Sequence, residues 1–148
     1  MLELVEIRIL GLPVDVSQRA AEHNDELMRE FALIRGQDTS DEAVPARLLT
    51  LVDELRARYA GFTTQPEADL SDAAAAGRTT IDLVYLVPPA AASGAAELDD
   101  LLDEADSFCQ AGDLLTLTTP PETLAFRRWF LREFVRQAAG EPPAPWPG

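Results

Sequence analysis

Lysine is absent: all 12 basic residues are arginine, set against 26 acidic ones for a formal net charge of −14. An all-arginine set favours planar, bidentate contacts with carboxylates over diffuse solvation, although a GC-rich coding sequence produces the same usage by mutational bias and is the simpler account. The negative surplus repels nucleic acid and anionic membranes at long range, so neither is expected as a partner. A single cysteine, Cys109, excludes an intramolecular disulfide and a cysteine-rich metal site. No apolar run approaches the roughly 20 residues needed to span a bilayer. Glu3 and Glu6 precede any apolar stretch, which predicts no signal peptide and a cytoplasmic location. Aromatics are scarce at 7%, so the core must rest on Leu, Val and Ile with a few Phe.

What is present reads as one globular domain. The chain has 148 residues, 47% hydrophobic and 26% charged, enough to bury a real core. Residues 1–140 are expected to form a single domain, and 141–148 (EPPAPWPG) a proline-rich tail that packs back through Trp146.

Alternation of Val5, Ile7 and Ile9 against Glu6 and Arg8 predicts a half-buried strand ended by Gly11 and Pro13. A helix follows, capped at Ser17 and closed by Gly36, with Ala20, Leu27, Phe31 and Ile34 on its stripe. Pro45 opens a second helix over 46–59, and the polar, Ala-rich stretch 61–78 reads as a loop. A second strand spans 79–87; Val84 and Leu86 on its other face suggest a drier, more central position. A third helix covers 93–111 and ends at Gly112. A third strand at 114–118 then leads into a helix started by Thr119 and Glu122 at capping-box spacing, with Pro120 as its first residue. The fold class expected is α/β, with about three strands in the order β-α-α-β-α-β-α, the last two parallel through a right-handed crossover.

The last helix carries the most distinctive chemistry. Arg128, Arg132 and Arg136 recur every fourth residue as a ridge beside the apolar side, and Trp129 lies just beyond it. A solvated face paired with nearby acids is the plain explanation. The functional one is a docking strip for an acidic partner, with Trp129 as anchor. Arg127 falls inside the apolar arc. A guanidinium there requires an internal carboxylate, such as Asp82, and a ligand is the lesser alternative. His23 stands beside Glu22, Asp25 and Glu26, but no second histidine exists to complete a metal site. Cys109 reads as a small buried hydrophobe. The turn at 88–94 meets neither the GxGxxG nor the P-loop pattern, so no cofactor is expected.

The segments EHNDELMREFALI, LTLTTPPETLAFRRWFLREFVRQ and PAPWP together resemble an uncharacterised actinobacterial family. Its members are often encoded near partner-switching regulators: anti-sigma-factor ATPases, their antagonists and serine phosphatases. That resemblance implies a regulatory role and carries no catalytic residues with it. TPPETLAFRRWFLREF is also similar to the opening helix of anti-sigma ATPases, and ARLLTLVDELRARY to their Asn-bearing helix. Here that helix has no Asn and no Asp-x-Gly-x-Gly follows, so ATP binding is not expected. The expectation is a non-enzymatic, cytoplasmic protein-binding module with a protein partner or a second copy of itself. The alternatives are a small-molecule or nucleotide sensor using 88–94 and Arg127, and a metal or acid/base enzyme centred on His23.

Overall fold

The computed structural model describes residues 3–37, 43–112, 114 and 117–148. Two strands and four helices follow one another as β1 (Val5–Pro13), α1 (Val14–Gln37), α2 (Val44–Ala75), β2 (Thr80–Val87), α3 (Ala91–Ala111) and α4 (Pro121–Ala138). The described residues are mainly helical, and the one sheet among them is an antiparallel pair of β1 and β2. The expected three-stranded sheet with a parallel pair is therefore corrected on both counts.

The reason lies in the segment expected as the third strand. Positions 115 and 116 of it lie outside the described residues. Leu114 and Leu117 sit in a turn, with the Leu117 N–H donating to Leu114 O at 3.0 Å and the Leu114 N–H to Cys109 O at 2.7 Å. Leu117 is buried in a helical cluster with Phe31, Leu48, Leu101, Leu102 and Cys109. A short apolar run can serve as a core plug as well as a strand, and period alone does not separate the two.

The loop expected at 61–78 is corrected as well, because α2 runs unbroken to Ala75. Leu55, Tyr59, Phe62, Pro66, Leu70 and Ala73 recur at helical spacing and pack into the core. That stripe crosses Pro66, whose missing N–H and bulky ring ordinarily cost about 3 kcal/mol inside a helix. Burial of the stripe and the alanines downstream, the best helix formers, offset this. Beyond Ala76 the chain turns at Gly77, whose φ of 71° suits a glycine, and Arg78 N donates to Ala73 O at 3.0 Å.

In the sheet, Ile7, Ile9 and Leu12 of β1 and Ile81, Leu83, Tyr85 and Val87 of β2 face the helices. The parity change between Ile9 and Leu12 comes from a bulge: two residues of β1, Leu10 and Gly11, stand against Asp82 alone. Gly11 has φ 64°, and its N–H donates to Asp82 Oδ1 at 2.7 Å. Asp82, named from sequence as the partner of Arg127, is thus committed to the bulge. Tyr85 meets Phe130 and Phe134 of α4 edge-on, with centroids 5.9 and 5.2 Å apart.

The outer edge of β1 is sealed by α4 and the tail. The Arg8 N–H donates to Gln137 Oε1, and Gln137 Nε2 donates to Arg8 O, both at 2.8 Å. Trp146 N donates to Leu10 O at 3.0 Å. The tail is held further by Trp129 Nε1 donating to Ala144 O at 2.9 Å and by Ala144 N donating to Glu133 Oε1 at 2.7 Å. Trp146 packs against Phe126 and Trp129, so the tail docks as expected. The start of α4 differs from expectation. Pro120 is the N-cap and no side chain caps the helix, Thr119 binds Asp106, and Glu122 pairs with Arg19 at 2.7 Å.

Two outcomes follow. Gln137→Leu leaves the Arg8 backbone groups without their side-chain partner and is expected to destabilise by about 1–3 kcal/mol in thermal or urea unfolding. Burial, helped by the nearby Glu67 carboxylate, pushes the Tyr85 hydroxyl above the usual tyrosine range. The folded state then keeps a proton that the unfolded chain releases near pH 10, so stability falls as pH rises past about 10. Tyr85→Phe is expected to remove that increment of the alkaline loss, measured by unfolding at a series of pH values.

Candidate functional site

Three aspartates of α3, Asp99, Asp103 and Asp106, stand at i, i+4 and i+7 and so share one face of the helix. Opposite them, on α4, lies Arg127, only 7% exposed. Its Nε donates to Asp99 Oδ1 at 3.3 Å, one Nη to Asp106 Oδ2 at 3.5 Å, and the other to Asp103 Oδ1. The fork of one guanidinium thus laces two helices together. Buried Arg127 has its carboxylates, as its position in the apolar arc required, but from α3 and not from Asp82.

The network extends to both sides. Arg128 Nη2 donates to Asp103 Oδ1 at 3.1 Å. Asp106 Oδ1 accepts the Thr119 hydroxyl at 2.8 Å and the Thr119 N–H at 3.0 Å. His23 Nε2 lies 3.4 Å from Thr119 Oγ1. A hydroxyl has one proton to give, and that of Thr119 goes to Asp106. His23 therefore does not take it as a base would, and the arrangement secures the chain ahead of α4. Glu22, Asp25 and Glu26 are exposed. Among the described residues no three His, Cys, Asp or Glu side chains cluster to hold a metal ion. Cys109 is fully buried, and burial together with Asp106 pushes its thiol up, away from the reactive thiolate.

The arginine ridge is largely spoken for. Arg136 pairs with Glu133, with Glu141 at 3.5 Å and with Pro142 O at 3.2 Å. Glu133 is 2% exposed, so Arg136 neutralises a buried charge. Arg132 alone of the three is exposed with no carboxylate within 4.0 Å among the described residues. Trp129, expected as an outward anchor, is half-buried beneath the tail. The residues 128, 129, 132 and 136 do share one side of α4, where Arg128 bonds α3 and Trp129 and Arg136 bond the tail.

Among the open surfaces of the described residues, two are apolar. One is a groove of about 570 Å³ among α2, α3 and α4, floored by Leu55, Tyr59, Ala91, Leu98 and Phe134, with Arg56 and Glu67 also lining it. Residues 91–94 form the first turn of α3 at this groove, whereas Arg127 stands apart in its aspartate clamp, so the two parts of the expected sensor site are not brought together. The other is the outer face of the sheet. There Val84 and Leu86 are 46% and 52% exposed, with Leu4 at 43% nearby in sequence to β1. Both residues were expected on a drier, central strand; with only two strands they face outward.

Sequence reasoning missed Asp99, Asp103, Asp106, Glu133 and Gln137. The spacing of the three aspartates was the available signal, hidden among many exposed acids. Glu133 and Gln137 looked like ordinary polar helix positions. No protein-family model, curated protein or solved structure matches the chain.

Removing one partner of a buried ion pair typically costs about 3–5 kcal/mol. Arg127→Met is expected to destabilise by that amount, read from urea midpoints, because three carboxylates are left facing one another. Arg127→Lys should recover only part of it, since an ammonium cannot span all three.

Proposed function

We propose that the chain is a non-catalytic protein-binding module that docks its partner on the outer face of the β1–β2 sheet. The observation carrying this reading is the exposure of Val84 and Leu86, side by side on one face of a strand whose other face forms the core. Adjacent exposed apolar side chains on a sheet are the kind of surface that partners cover. The polar groups elsewhere support a binding role over chemistry. Arg127, Glu133 and Gln137 are each engaged by internal partners. The resemblance of helix one, the last helix and the tail to proteins encoded beside partner-switching regulators supports a regulatory setting for such a module.

The arginine ridge enters this reading only through Arg132, its one solvent-facing cation without an ion pair among the described residues. The sensor alternative keeps the apolar groove as its support. A groove of that volume falls in the range of small-molecule sites, about 300–1,000 Å³.

Co-purification from the native host tests the proposal, with wild type and a Val84→Lys/Leu86→Lys variant as baits. The variant is expected to lose its specific partner by about tenfold or more, equivalent to about 1.4 kcal/mol, with its melting temperature unchanged because both side chains point to solvent. Equal capture by both baits, with loss in Arg132→Glu instead, moves the docking surface to α4.

A further inference from the structure

The two edges of the sheet are treated differently. Arg8 turns its N–H and C=O away from β2, because both are bonded to Gln137. In an antiparallel ladder, residues directly opposite either both face each other or both face outward. Val84 is the register partner of Arg8 and Leu86 that of Glu6. Their backbone groups therefore point to the outer edge of β2. There, among the described residues, no side chain or backbone group bonds to them, in contrast to the sealed edge of β1. An open edge of this kind is a template for an added strand.

We infer that the free edge of β2 accepts an extended segment of another protein as a third strand, one whose side chains alternate between apolar and basic. This rests on the protein-binding reading above and names the partner's chemistry. Alternation follows from strand geometry: side chains on the outer face would lie beside Val84 and Leu86, and those between them would point to the helix side. At the Thr80 end, the hollow between this edge and the end of α2 is lined by Asp69, Asp72 and Asp82 against a single cation, Arg78. A basic side chain on the helix side there gains attraction from Asp69 and Asp72, Asp82 being bonded to Gly11 of the bulge, and the net charge of −14 steers such a segment in from a distance. A second copy of the chain is a poor occupant, because it brings the same acids to the same edge and an equal net charge. No segment of the chain itself is basic enough, since the richest in arginine is α4, already bonded to α3 and the tail.

The test uses the full chain and synthetic peptides of about eight residues, the length of β2 (8 residues). One peptide alternates Val and Arg, a second alternates Val and Glu, and two more are Val/Arg peptides N-methylated on alternate amides, one for each strand edge. Affinity is followed by fluorescence anisotropy, and amide exchange at Val84 and Leu86 by NMR. The Val/Arg peptide is expected to bind saturably and to slow exchange of both amides, with affinity falling as salt is raised. The Val/Glu peptide should not bind, and one of the two methylated peptides should lose about tenfold or more in affinity. The inference is overturned by no binding, by binding that both methylated peptides retain, by equal binding of the Val/Glu peptide, or by protection elsewhere on the chain. It is also overturned if the two amides become protected with rising protein concentration alone, which makes a second copy the occupant. If the peptides fail while the Val84→Lys/Leu86→Lys bait still loses its cellular partner, docking on the sheet face stands and strand addition falls. If both fail, the protein-binding reading falls too.

Discussion

A guanidinium buried on an apolar helix face is tolerable only if carboxylates meet it, and in this protein that requirement joins α3 to α4. Arg127 gathers Asp99, Asp103 and Asp106 into one polar knot between two otherwise hydrophobic surfaces. Asp106 in turn holds Thr119, so the segment leading into α4 is positioned by the same knot. With α4 placed, Phe130 and Phe134 come against Tyr85, and the sheet has something to pack on. A buried pair of this sort adds modest net stability but strongly penalises any other arrangement of the helices, because each leaves charge unpaired in a poor solvent.

The far end of α4 solves a second problem. A two-stranded sheet has two open edges, each a row of unsatisfied backbone groups. Gln137 answers one of them by presenting an amide that donates and accepts like a strand residue, and Trp146 extends the seal into the tail. Glu133, buried between them, accepts from Gln137, Arg136 and the tail backbone. Arg128 and Arg136, two of the three arginines expected as a docking ridge, are thus tied to neighbouring groups, whereas no described residue bonds the outer edge of β2.

Much of this was legible residue by residue. The core-facing sides of β1 and α1 followed from alternation and helical spacing, and Arg127 announced its need for a carboxylate by its place among apolar neighbours. The continuation of α2 past Tyr59 was readable in the stripe through Phe62, Pro66, Leu70 and Ala73, but Pro66 and the polar letters around it pointed to a loop. Locally those signals are correct; packing against β2 outweighed them. The leucines at 114 and 117 fitted a strand as well as a core plug, and nothing local distinguished the two. The partner of Arg127 was unreadable because 26 acids offer many candidates and only contact selects among them. Gln137 gave no sign of itself, since an amide on a helix becomes a strand-edge cap only when a strand is brought to it.

By itself, then, the amino-acid order determined which side of each helix and strand is apolar, the sign of the overall charge, and the demand of each buried polar group for a partner. These depend on chemical type and on spacing within a few turns of chain. Tertiary structure decided which aspartates meet Arg127, that the sheet among the described residues has two strands, and that Gln137 bonds one of its edges while no described residue bonds Val84 or Leu86 at the other. Those outcomes depend on groups as far apart as Arg8 and Gln137. Their pairing is set by how the whole core fills space, which no local stretch of sequence encodes.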